Sequence, residues 1–284
     1  LRDSKKNNPQ LDDVERIKVD LETLNEEQLL AYNIVKSFHE LDDPKKQLLL
    51  RIEGDAGTGK THLINALKDK LLDSCVLSSF TGRAAVNING QTLHSLFHFP
   101  HDRKKMVPYK QDSKTLESIQ NTFKPIRYII IDEYSMLGCR SFGMINARAK
   151  EATGLTKIPF GGISVILVGD TKQLPPVKDC ELWKPIDDDD GPKEYLEGKV
   201  LYALFDKVVR LVQNQRQLDT SANGVAFRKA LINIGKSQAT IQDYEILKQR
   251  MMISPDEIEA FKNSMHIYYT KIACRIRNHE KLSF

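Results

Sequence analysis

The sequence predicts an α/β fold in which a parallel sheet is covered by helices on both faces. Three observations carry this expectation. Short apolar runs of strand length recur along the chain, as in Ile129-Ile130-Ile131. Stretches with helical spacing lie between them. Two of the runs end in turns rich in chemistry, Gly54 to Thr61 and Asp132-Glu133.

The elements follow in order. Residues 1–20 alternate charges without a period and are expected to form a flexible arm. Thr23 and Glu26 have capping-box spacing, and Leu29, Leu30, Ile34 and Phe38 then recur at helical intervals. A buried strand is expected over 47–53, then a glycine-rich turn and a helix over 60–72. Residues 75–79 read as a second strand, and 81–86 as the start of a helix. The polar, proline-interrupted stretch 99–125 reads as an insertion. Strands are expected over 127–132, 163–169 and 207–212. Helical patterns follow over 225–234, 241–251 and 256–264, then a short strand over 266–269 and a last helix.

Composition bounds the function. With 40% hydrophobic and 28% charged residues, the chain can build an ordinary core and a solvated surface. No stretch approaches the ~20 apolar residues of a membrane span, so no membrane partner is expected. No apolar core of a signal peptide stands at the start, and an opening Leu1 suggests a piece of a longer chain. The four cysteines include no C-x-x-C pair, which argues against a disulfide scaffold and for a reducing compartment. Residues 179–197 hold eight acids and two lysines, a local charge of −6 that leaves the remainder at +10 against the whole-chain +4. The stretch is expected to be a loop, with its Asp187-to-Pro192 run flexible. A mildly basic body suits either a polyanion on one face or a plain solvated surface.

The run Gly54-Asp55-Ala56-Gly57-Thr58-Gly59-Lys60-Thr61 fits the phosphate-loop pattern G-x-x-x-x-G-K-[ST]. The glycines let the loop wrap a phosphate with its N–H groups pointing inward, and the next helix offers its positive end to the same charge. Lys60 would reach the β- and γ-oxygens of ATP, and the Thr61 hydroxyl would hold Mg²⁺. Asp132 and Glu133 end a strand at the edge where open α/β sheets bind ligands. Asp132 is the candidate second ligand for Mg²⁺, and Glu133 the candidate base for an attacking water. Gln173, just past another strand, can hydrogen-bond a γ-phosphate or its water, and Pro175-Pro176 stiffen the loop that would transmit its loss.

The blocks GDAGTGKT, SSFTGRAAVNINGQTLHS, IIIDEYSML, LVGDTKQLPPV and RLVQNQRQ, in this order, resemble the petite-integration-frequency (Pif) helicases, RecD-like members of helicase superfamily one. The resemblance covers about residues 21–284. It implies a RecA-like first motor domain over 21–212 and a partial, incomplete second RecA-like lobe over 213–284. It also implies ATP hydrolysis driving 5′-to-3′ movement on single-stranded DNA, with unwinding of duplexes and G-quadruplexes. Gln28, within Leu24-Asn25-Glu26-Glu27-Gln28, would read adenine beside the loop residues Gly54, Ala56, Gly57, Thr58 and Gly59. Gln173 would couple nucleotide state to DNA grip, and Arg216 would reach the γ-phosphate. Thr81, Gly82, Arg83, His94 and Ser95 would contact DNA. Tyr134 stands where the resemblance places an aliphatic residue, a change expected to affect packing alone. The same resemblance implies DNA junctions as partners, a monomer, and a nuclear or mitochondrial setting with roles in repair, recombination and telomere maintenance. Two other readings stay open: an ATPase switch that ignores DNA, and a nucleic-acid-binding module without catalysis.

Overall fold

The computed structural model describes residues 19–43, 46–99, 114–185, 193–249, 254–256, 261 and 264–282. The chain forms two compact units, Leu1–Leu218 and Asp219–Phe284. Most of the expected arm, the centre of the expected insertion (100–113) and residues 186–192 of the acidic stretch lie outside the described residues.

The first unit holds a six-stranded parallel sheet. Its strands are β1 (Leu49–Gly54), β2 (Cys75–Ser79), β3 (Gln91–Thr92), β4 (Tyr128–Asp132), β5 (Ser164–Gly169) and β6 (Lys207–Leu211), in the spatial order β3-β2-β4-β5-β1-β6. Every pairing is parallel. Side chains alternate between the two faces of a strand, so neighbouring residues enter different cores. Ile130, Ile166 and Val168 enter one core with α1 (Glu26–Glu40) and α2 (Lys60–Leu71). Ile129, Ile131, Val165 and Leu167 enter the other. That second core takes in α4 (Leu93–Leu96), α5 (Lys114–Phe123), α6 (Cys139–Thr153) and α7 (Lys193–Ala203). The α/β fold with both faces covered is therefore as expected. Between α2 and α4 lies a short helix, α3 (Gly82–Asn87).

Some local expectations need correction. The first helix is capped by Asn25, whose side chain accepts from the Gln28 backbone while the Gln28 side chain accepts from the Asn25 backbone; this capping box replaces the one expected from Thr23 and Glu26. Its buried face is Gln28, Ala31, Tyr32 and Val35, and Leu29 and Leu30 are exposed. The acidic stretch is not a loop throughout. The helix α7 begins inside it, Asp179 accepts from the Arg140 and Ser141 backbone at the start of α6, and Glu197 accepts from Asn146. Residues 266–269 form no strand. Tyr134 is fully buried, its hydroxyl 3.3 Å from Glu53 Oε1 and 3.4 Å from the Tyr202 hydroxyl.

The second unit contains α8 (Ala222–Gly235), α9 (Ile241–Lys248) and α10 (Lys271–Leu282). The first two pack together, and Asp243 joins them by accepting from Asn233 and Thr240.

Candidate active site

In a parallel sheet all strands deliver their C-terminal ends to one edge. Here that edge collects Gly54, Ser79, Asp132, Gly169 and Leu211. The phosphate loop leaves β1 and returns into α2. Gly57 and Gly59 take φ of +87° and +80°, which L-residues other than glycine adopt at a cost. Space matters as well. A Cβ on Gly57 would lie 2.8 Å from the Arg216 Cβ, and one on Gly59 would lie 2.3 Å from the Gln28 Nε2. The two glycines thus let Arg216 and Gln28 close against the loop.

Both neighbours are tied to it through backbone groups. Gln28 is buried; its Nε2 donates to the carbonyls of Thr58 (3.1 Å) and Gly59 (3.3 Å). On the other side, the Gln215 N–H donates to the Gly57 carbonyl at 2.7 Å. Asn214 Nδ2 donates to the Ala56 carbonyl, and Asn214 Oδ1 accepts from the backbone of Arg216 and Gln217. Residues 214–217 therefore belong with the phosphate loop in the first unit, although the expected domain division places them in the second. Thr58 closes the turn by donating to the Asp55 carbonyl. The Lys60 ammonium donates to the Gly54 and Asp55 carbonyls at 2.8 and 3.1 Å.

One cavity of about 570 Å³ is lined by Ala56, Gly57, Gly59, Lys60, Thr61, Glu133, Gln173, Gln215 and Arg216. Asp132 is buried at the end of β4, where its Oδ1 accepts the Glu133 N–H at 3.0 Å. Burial, and then the Glu133 carboxylate beside it, pushes the Asp132 carboxyl up to about 6; Lys60 pulls the other way. Glu133 holds φ 54°, ψ 44°, a left-handed conformation that is unusual for a residue with a side chain. This strained bend turns the chain so that Glu133 lines the cavity while Asp132 stays below it. Gln173 reaches the same cavity from the loop after β5, its amide donating to Asp170 Oδ2 at 3.3 Å. A larger cavity, about 630 Å³, opens beside Gln47, Arg127 and Ser164 at the N-terminal ends of the strands, remote from the phosphate loop.

Hard oxygen donors suit Mg²⁺. The Asp132 carboxylate and the Thr61 hydroxyl are such donors, and a carboxyl raised toward 6 is one whose charge a cation would stabilise.

The expected DNA-contacting residues follow β2 and β3 at the same edge. Thr81 caps α3 by accepting from the Ala84 backbone, and Gly82 and Arg83 are exposed. Ser95 is exposed on α4. The His94 ring sits edge-to-face between Phe80 and Phe99, at 5.6 and 5.5 Å, so it is engaged in aromatic packing. These five residues are not in the cavity that holds Lys60 and Glu133. Sequence reasoning missed Asn214 and Gln215, which tether the Arg216 segment, and Asp170, which holds Gln173. Their signal was only adjacency to a chosen residue.

Comparison with known proteins decides the family. A family model described as PIF1-like helicase matches residues 23–245. The chain belongs to the PIF1-like helicases. It is 37% identical over 131 residues to the ATP-dependent DNA helicase PIF7 of Trypanosoma brucei brucei, covering 44% of this chain and 13% of that protein. It is 34% identical over 166 residues to the ATP-dependent DNA helicase PIF1 of Candida albicans, covering 55% of this chain and 18% of that protein. The crystal structure of a Bacteroides Pif1 helicase in complex with ADP-AlF3 and single-stranded DNA superposes with a TM-score of 0.65 at 25% identity, covering 92% of this chain and 57% of that one. The PIF1-like chain described here thus spans a small part of these curated relatives and just over half of the solved one.

Proposed function

We propose that this chain is the ATP-hydrolysing part of an ATP-dependent DNA helicase that moves along single-stranded DNA. The observation that carries the reading is the shared cavity, in which phosphate-loop, carboxylate, sensor and arginine side chains converge from four separate segments. The family membership and the ADP-AlF3 and single-stranded DNA in the Bacteroides relative's crystal support it.

In this reading the loop N–H groups and Lys60 hold the β- and γ-phosphates. Thr61 and Asp132 would hold Mg²⁺, which supplies charge neutralisation on the phosphate oxygens. Glu133 accepts a proton as its water attacks the γ-phosphorus, and the bond to the β-phosphate oxygen breaks to give ADP and phosphate. Arg216 stabilises the charge on the transferring group, a contribution of about 10³–10⁵ in rate for arginines so placed. Gln173 senses the γ-phosphate and passes its loss to the loop through Pro175-Pro176. Gln28 reads adenine once one of its amide hydrogens leaves the Thr58 or Gly59 carbonyl. Thr81, Gly82, Arg83 and Ser95 contact DNA phosphates, and His94 contributes through the edge of its packed ring. Movement 5′ to 3′, action on junctions and G-quadruplexes, a monomeric state, and a nuclear or mitochondrial role in repair, recombination and telomere maintenance complete the proposal. Among the described residues, no helix is long and apolar enough to cross a membrane.

The test is steady-state ATP hydrolysis with and without a single-stranded oligonucleotide, on this chain and on a longer form carrying a complete second lobe. Stimulation of the longer form by DNA is expected, with slow hydrolysis and little unwinding by the 284-residue chain. Hydrolysis indifferent to DNA in the longer form would favour an ATPase switch. Absence of nucleotide binding would favour a non-catalytic module.

A further inference from the structure

Cys139 and Cys180 were chosen for no role in the sequence, yet the fold brings them together. Cys139 opens α6, a few residues after Glu133; Cys180 ends the loop that carries Gln173. Gly138 and Glu181 form an isolated antiparallel bridge, and Cys139 and Cys180 are the residues next to it on the two segments. A disulfide spans Cα atoms roughly 4.4–6.8 Å apart, a range that residues joined by a direct backbone hydrogen bond can meet. The Cys139 N–H donates to the Cys180 carbonyl at 2.8 Å. Both thiols lie on one acceptor, the Glu181 carbonyl, at 3.5 and 3.6 Å. Both cysteines are free.

Access to the two differs. Cys139 is buried and Cys180 is partly exposed. Burial, and then the adjacent Cys180 thiol, pushes the Cys139 thiol up to about 12. An oxidant in solution therefore meets Cys180 first, and Cys139 acts as the resolving partner at its back.

We propose that Cys139 and Cys180 form an oxidisable dithiol site, closed to a disulfide by a peroxide and reopened by a thiol reductant. The Cys180 sulfur attacks a peroxide oxygen, the O–O bond breaks, and a sulfenic acid and one water form. The Cys139 sulfur then attacks the Cys180 sulfur, the S–O bond breaks, and the disulfide and a second water form. The peroxide gains the two electrons that the thiols lose, and both thiol protons leave in water. The bond fastens the Gln173 loop to the segment that follows Glu133. This effect on turnover rests on the proposed hydrolysis mechanism, in which that loop shifts as phosphate is released; the disulfide itself does not.

The experiment treats the reduced 284-residue chain with hydrogen peroxide, maps disulfides by peptide mass spectrometry, and follows ATP hydrolysis before and after dithiothreitol. The expected result is a peptide linking Cys139 to Cys180 and a fall in rate of about threefold or more, reversed by reductant and absent in Cys180→Ser. Cys274→Ser should behave as the parent chain. No 139–180 linkage, or the same loss of rate in Cys180→Ser, would overturn the proposal. Should the reduced chain hydrolyse no ATP, the hydrolysis mechanism fails while the linked peptide still decides the dithiol site.

Discussion

In the unit Leu1–Leu218, every residue of β4 and β5 is buried. In the unit Asp219–Phe284, only Ala230 and Asp243 are buried among the described residues, and Met265, Ile267, Tyr269 and Ile272 are each more than 70% exposed. Both units carry apolar residues at helical or strand spacing in the sequence. What separates them is the surface that receives those residues: the sheet offers two faces to the helices of the first unit, whereas in the second, among the described residues, α8 and α9 pack on each other. The first unit can therefore hold a strained, charged site, and each expected effect below concentrates in it.

The largest effects are on chemistry. Arg216→Ala and Glu133→Gln should each lower kcat for ATP by about 10²–10⁴, leaving ATP binding within a few-fold; steady-state phosphate release together with nucleotide titration checks this. An equal loss from substituting Arg228, in the second unit, would erase the contrast between the units. Next in size is core packing. Ile130→Ala should cost about 2–5 kcal/mol of unfolding free energy, whereas Ile272→Ala, at a side chain 71% exposed, should stay within about 0.5 kcal/mol; urea denaturation reads both.

Asp132→Asn separates stability from chemistry, because it should stabilise the protein while abolishing hydrolysis. The folded carboxyl, near 6 against an ordinary 3.8, binds its proton more readily than the unfolded one. Between about pH 4 and 6 the folded state carries more protons, so stability falls as pH rises through that window and stays low above it. The uncharged amide escapes this penalty. In EDTA at pH 7–8 the variant should exceed the parent chain by up to about 2–3 kcal/mol, and the gap should close below pH 4; thermal melts across pH would show it. A gap independent of pH would mean that burial of the charge is not its cause. The smallest effect expected is from ending the chain after Leu218, which should change ATP affinity by less than about threefold (under 1 kcal/mol) in the same titration.

The sequence made the phosphate loop, its flanking strand and helix, and the two acids of β4 readable, because each has a local pattern: a glycine spacing, an apolar run, a carboxylate at a strand end. Elements defined by long-range packing were not readable. The helix α6 buries ten of its fifteen residues, among them Ser141, Asn146 and Arg148, so it lacks the polar face that marks a surface helix. In α7, Gly198 sits where a Cβ would fall 2.3 Å from the Cys139 carbonyl oxygen, a close approach with no signature in the α7 sequence alone. The strand β3 is two residues long, too short for alternation to register. Gln28 could be chosen from its neighbours, but not its grip on the Thr58 and Gly59 carbonyls, thirty residues along the chain.

Every step of hydrolysis requires that the turn after β1 hold a triphosphate through Lys60. Equilibrium titration of a fluorescent ATP analogue with Mg²⁺ into the parent chain and into Lys60→Ala tests this directly. Saturable binding by the parent chain and a loss of affinity of about tenfold or more in the variant, 1.4 kcal/mol or above, are predicted. Equal affinity in the two proteins would contradict it.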